Sequence, residues 1–123
     1  MTAALLGVAL LAALAVFQGL LIVGAPLGRF AWGGQHVVLP RNLRIGSVVS
    51  VVLYAFFAVL MLQAAGAVEV LPDGFVAVAI WVLAGYFALG IVLNAVSRSR
   101  SERAVMTPTV LVLTGICLVL ALG

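Results

Sequence analysis

Lysine is absent from this chain, and charge of any kind is scarce. Charged residues are 7% of the 123 residues and hydrophobic ones 67%, against about 25% charged in an ordinary soluble domain. A soluble fold of this length has too high a ratio of surface to volume to hide so much apolar side chain. Water is thereby excluded as the main solvent, and lipid is the natural one. The single cysteine, Cys117, excludes an intramolecular disulfide, and one Cys with one distant His excludes a metal site built from them. There is no HExxH, no GxSxG and no cysteine pair. Zinc-protease, serine-hydrolase and quinone-linked thiol chemistry therefore lack their signatures. No catalytic residue, metal ligand or cofactor is assigned, and the chain is read as non-enzymatic. All six basic residues are arginine. With abundant Ala, Val, Leu and Gly, this points to a GC-rich genome. The net charge of +3 invites a nucleic-acid reading. The arginines flank apolar runs, however, where they serve as orientation signals, so no nucleic-acid partner is expected.

What is present is apolar sequence in blocks. A helix crossing about 30 Å of hydrocarbon needs about 20 apolar residues. Four stretches meet that length, at residues 2–24, 45–65, 75–96 and 104–122. The expected fold is all-α, an integral membrane bundle of four transmembrane helices in a single domain. The first stretch has no basic residue before its apolar run, which favours a retained helix over a cleaved signal peptide. Pro40 suits the first turn of a helix leading into the second span. Asp73, within LPDG, is expected to cap the third helix. Ser99 and Glu102 have capping-box spacing. Pro108 falls near the start of the fourth span, which an early helix start accommodates with a bend. No soluble tail is expected after Gly123.

The longest polar interruption is GAPLGRFAWGGQHVVLPRNLRIG, residues 24–46. Its prolines and WGG argue against one continuous helix. The loops at 25–44 and 97–103 carry Arg29, Arg41 and Arg44, then Arg98, Arg100 and Arg103. The turn between the second and third spans carries only Glu69 and Asp73, and neither terminus has a basic side chain. In a four-span chain both basic loops face one side. The positive-inside rule makes that side the cytoplasm and puts both termini outside. So complete a bias argues against dual topology.

Candidate binding residues fall into two sets. In the loops, the six arginines, Trp32 and His36 are candidates for headgroup contact. Trp32 reads as an interfacial anchor and Trp81 as a packing residue. His36 is either a pH-sensitive contact or a solvated loop residue, and without a nearby carboxylate the solvated reading is preferred. The Gly33–Gly34 pair is a nest of backbone amides for an anion or, preferred here, a plain turn. In the spans, Ser47, Ser50 and Tyr54 share a helix face, as do Tyr86, Gly90 and Asn94. Small residues at such spacing allow helices to approach closely. With this orientation Gln18, Ser47, Ser50, Asn94, Thr107 and Thr109 all fall in the cytoplasmic half, with Tyr54 and Tyr86 nearer the middle. Gln18, Ser50, Tyr54, Tyr86 and Asn94 are thus candidates for lining a polar pocket open toward the arginines. The competing, preferred reading is that they pair as interhelical hydrogen bonds worth about 0.6–2 kcal/mol each. No charged residue stands near the middle of a span, which argues against proton-coupled carriers and pumps. The polar signatures of small fluoride channels are also missing.

The runs GAPLGRFAWGG, LPRNLRIGS and NAVSRSRSERAVMTP together resemble a widespread group of small uncharacterised bacterial four-helix membrane proteins. The likeness covers nearly the whole chain and implies the four-span fold, but no activity or site residue. The expectation is a multi-pass protein of the bacterial cytoplasmic (inner) membrane. Its first expected role is a binding, structural or accessory protein in contact with anionic lipid, as a homo-oligomer or with a membrane partner. A carrier or channel for a small or amphiphilic solute through the cytoplasmic-side pocket is the second reading. A lipid-headgroup enzyme is the third.

Overall fold

A computed structural model describes residues 1–123. Four helices account for most of the chain: α1 (Thr2–Ile22), α2 (Arg41–Ala64), α3 (Asp73–Ala95) and α4 (Arg100–Leu122). Each is long and apolar enough to cross a membrane. Their apolar residues are not confined to one stripe. Val16, Val52, Val82, Leu93 and Val119 all face outward. A helix apolar on every side suits lipid or the centre of a large protein, not a water interface.

α2, α3 and α4 begin before the apolar stretches that mark them in sequence, and α1, α2 and α3 end slightly short of theirs. α2 begins at Arg41 because Pro40 occupies its N-cap in an extended conformation. α4 begins at Arg100 because the Ser99 hydroxyl accepts the Glu102 N–H at 3.2 Å. Long arginine side chains let a first helical turn stand at a membrane surface while the guanidinium reaches polar surroundings. Asp73 does not cap α3. Pro72 holds that position, and Asp73 is the first helical residue, its Oδ1 accepting Gln63 Nε2 at 3.3 Å. Pro108 lies inside α4.

α1 packs chiefly on α2, and α3 chiefly on α4, so the bundle is two hairpins that touch each other more sparingly. The antiparallel order brings both arginine-bearing connections to one end, called here the basic end, and the Glu69–Asp73 turn to the other. The dry core lies toward the turn end, where Ala4, Leu60, Met61, Ile80, Leu113 and Cys117 are buried together. Among the helix glycines, Gly7 lies tightest against another helix. A Cβ there would stand 2.5 Å from Met61 Sδ and 3.2 Å from Ile116 Cγ2. At Gly90, where sequence spacing marks a small-residue face, the nearest atom to such a Cβ is Val110 Cγ1 at 3.7 Å, an ordinary contact. Trp81 is 49% exposed and faces out of the bundle, so it is not a packing residue within it.

Candidate functional site

The segment between α1 and α2 folds back over the basic end and becomes a roof. Two short 3-10 turns, Gly28–Phe30 and Trp32–Gly34, carry it. Gly28 N–H donates to the Val37 carbonyl at 2.8 Å. A side chain at Gly28 would run into the His36 carbonyl. Trp32, Gly33 and Gly34 all have positive φ, at 52°, 76° and 72°, which two glycines make inexpensive. The Trp32 ring lies on α2 at Gly46, where an added Cβ would be 2.9 Å from the indole.

The roof is fastened to the start of α4. The Ser99 hydroxyl donates to the Arg29 carbonyl. Gly33 N–H donates to Glu102 Oε2 at 3.1 Å, across 69 residues of sequence. The Gly33 amide does hold an anion, and that anion is the chain's own carboxylate. Glu102 is only 6% exposed. Its place in the first turn of α4 suits a carboxylate, because unpaired N–H groups and the helix dipole favour negative charge there. In a capping box this side chain would reach back to the N-cap N–H. Here it turns to the roof, while Ser99 N–H is taken by Ser97 Oγ at 3.2 Å.

Beneath the roof is a cavity of about 460 Å³ between the two hairpins. Gln18 of α1, Ser50 and Tyr54 of α2, and Tyr86 and Asn94 of α3 all line it. The structure thus gathers all five span candidates around one space. α4 contributes Met106, Thr109 and Val110, and the roof contributes Phe30, Trp32 and Gly33. The floor is aromatic: Tyr54, Tyr86 and Phe87 of the lining pack on the Phe57 ring of the core, at 6.4, 5.6 and 5.9 Å between centroids. Below that floor the dry core closes the bundle.

Hydrogen bonding inside the cavity is lopsided. Ser50, Asn94 and Thr109 donate to carbonyls one turn back on their own helices, Gly46 at 3.0 Å and Gly90 and Val105 at 2.7 Å. One interhelical side-chain bond crosses the space, from Gln18 Nε2 to the Tyr54 hydroxyl at 3.5 Å. Gln18 is 8% exposed and its Oε1 has no partner. Ser47, on the same helix face in sequence, is instead buried outside the lining, its hydroxyl unpartnered. Thr107 is likewise unpartnered.

The loop candidates separate from the cavity. None of the arginines lines it, and of the aromatic and imidazole loop candidates only Trp32 does. Arg44 is committed to the protein: its Nε donates to the Leu39 carbonyl at 2.8 Å, and its guanidinium packs on Gly24 at the end of α1. Arg29 sits over the Phe30 ring at 4.9 Å. Arg41, Arg98, Arg100, Arg103 and His36 are exposed.

Two residues stand out that sequence reasoning passed over. Glu102 was legible as a capping residue but not as part of a cavity wall. Gln63 is buried in the α2–α3 turn, where its Oε1 accepts the Val70 and Leu71 N–H groups at 3.1 and 2.9 Å. A second, wholly apolar groove of about 350 Å³ runs between α2 and α3, lined by residues such as Phe56, Phe75, Val82 and Leu83. It meets the cavity at Tyr86, which lines both. By fold, the class is an all-helical chain with four helices able to cross a membrane. No protein-family model, no curated protein and no solved structure matches the chain.

Proposed function

We propose that this chain is a multi-pass protein of the bacterial cytoplasmic membrane that binds an amphiphilic molecule at the cytoplasmic end of its bundle. The observation that carries this reading is the cavity at the basic end, with the apolar α2–α3 groove beside it across Tyr86. The cavity is polar and roofed, and the neighbouring groove is apolar along about 16 Å from Tyr86 to Phe75 at about 1.5 Å per residue. A ligand with a polar head and a hydrocarbon tail matches both parts. Tyr86, Leu89 and Leu93 line the cavity and are exposed on α3, so entry from the lipid side is open. Concave sites with a few convergent polar groups are where small ligands bind.

The orientation is supported by the placement of all six arginines in the two connections at the basic end. The exposed ones meet the headgroups of the cytoplasmic leaflet, where each basic residue contributes about 1 kcal/mol of attraction to anionic lipid. Both termini then lie outside. Cysteines placed singly at Glu69 and at Gln35, both exposed, in a Cys117→Ser background, test this in intact cells. An impermeant thiol reagent is expected to label the first and not the second; the reverse pattern overturns the orientation.

The ligand site is tested by filling it. Gly90→Leu should place a side chain in the cavity, since a Cβ there meets only Val110 in ordinary contact. Native mass spectrometry of the purified parent should show a co-purified amphiphile, and the folded variant should lose it. A folded variant that keeps the same bound molecule sinks the site. A carrier is the second reading, favoured by the sparse packing between the two hairpins. It requires the aromatic floor at Phe57 to part, and movement of a labelled amphiphile across protein-containing vesicles separates it from simple binding.

A further inference from the structure

We propose that the cavity takes a ligand head bearing a primary ammonium group, with Glu102 as its counter-ion. This rests on the reading of the cavity as an amphiphile site. Glu102 is the one carboxylate in the lining, and no arginine joins it there. Its Oε2 is held by Gly33, and no protein donor reaches Oε1. A second anion entering beside Glu102 would meet like charge with no cation in the wall. An ammonium would meet a partner.

The neutral groups point the same way. Asn94 spends its Nδ2 on the Gly90 carbonyl, which leaves Oδ1 as an acceptor. Gln18 turns Nε2 toward the Tyr54 hydroxyl, and its buried Oε1 is without a donor. A buried acceptor left unpaired is costly, and a ligand N–H is what satisfies it. The cavity therefore offers acceptors at Gln18, Asn94 and Glu102. Around them stand Trp32 and Tyr86, aromatic rings of the kind that attract cations. The exposed arginines stand outside the lining, where solvent and salt screen their repulsion. Acceptors reward N–H donors, so a primary ammonium is preferred over a quaternary one. Such a head is carried by a single-chain amine or by an ethanolamine lipid.

The test uses the whole protein in neutral detergent, with Trp81→Phe leaving Trp32 as the sole tryptophan and the reporter of the cavity. Dodecylammonium, dodecyltrimethylammonium, dodecanol and dodecyl phosphate are titrated against its fluorescence. Dodecylammonium is expected to bind at least about tenfold more tightly than dodecanol or dodecyl phosphate, a difference of about 1.4 kcal/mol, with the quaternary compound between. Glu102→Gln keeps an oxygen for Gly33 N–H and should abolish that preference by weakening dodecylammonium to the level of dodecanol. Gln18→Leu should weaken the ammonium more than dodecanol, which brings one donor where the ammonium brings three, a second route if the first variant folds poorly. A missing ammonium preference, or one that survives Glu102→Gln, overturns the ammonium head and leaves the amphiphile site standing. No Trp32 response to any of the four overturns both. Lysophosphatidylethanolamine binding as dodecylammonium does identifies the headgroup as the source; its exclusion identifies a single-chain amine.

Discussion

Gly7 and Gly90 are the same residue in different surroundings. The four-residue spacing of Tyr86, Gly90 and Asn94 marks Gly90 as a close crossing, yet it is Gly7 whose Cβ would meet Met61 at 2.5 Å. Overpacking a tight contact costs about 1–3 kcal/mol. Gly7→Leu is therefore expected to lower the detergent melting temperature clearly, whereas Gly90→Ala is nearly neutral. Equal losses in the two melts would mean that α1 does not sit this close to α2. Asn94 makes its bond within its own helix, so Asn94→Leu severs no interhelical contact. Its loss should fall below about 0.6 kcal/mol, the average for such contacts in a membrane protein. A larger drop in the same assay would place a partner across the cavity. Glu102 has a different dependence on shape and charge: a hydrogen bond to a charged group is worth about 1.5–3 kcal/mol. Glu102→Ala should loosen the roof, read as faster protease cleavage in residues 24–40, while Glu102→Gln keeps it closed.

At the scale of elements, the two ends of the bundle are held by different devices. The turn between α2 and α3 has no regular structure between Ala64 and Asp73, and Gln63 supplies the order. One side chain accepts the N–H groups of Val70 and Leu71 and donates to the Leu71 carbonyl and to Asp73. A buried donor deprived of its partner costs about 1–3 kcal/mol. Gln63→Leu should thus destabilise the fold by about 2–4 kcal/mol, seen as a lower melting temperature and as new cleavage within the turn. A melt matching the parent would show that the turn holds itself. At the basic end the roof depends on backbone shape. Gly34 has φ of +72° and a side chain there would strike Ser99. The interval of glycines in WGG is what lets residues 32–34 pass close enough for Gly33 to reach α4.

For the whole molecule, charge and packing are segregated along one axis. The turn end holds the buried apolar core, and the basic end is hollow and carries all six arginines in its connections. The arginines are not equivalent. Arg44 fastens α2 to the segment before it through the Leu39 carbonyl, while Arg41 and Arg103 are exposed. Arg44→Gln is expected to lower the melting temperature. The double replacement of Arg41 and Arg103 by Gln should leave melting unchanged and reduce anionic phospholipid retained through purification, as seen by native mass spectrometry. Unchanged lipid retention would reduce those arginines to signals of orientation.

The sequence by itself determined the helices and their polarity. Hydropathy over about 20 residues, Pro40, the Ser99 cap and the confinement of arginine to two of the three connections are all read from consecutive residues. The convergence of Gln18, Ser50, Tyr54, Tyr86 and Asn94 was half legible, because helix period fixes which residues share a face. It does not fix which face meets which helix: Ser47 shares the face of Ser50 yet lies outside the cavity. Only the tertiary structure decided that Glu102 leaves its capping role to hold Gly33. Those residues are 69 apart, and nothing in either neighbourhood encodes the other. Their meeting depends on how two hairpins, each apolar on every side, settle against one another. That choice is made by close contacts such as Gly7 on Met61, which no periodicity announces.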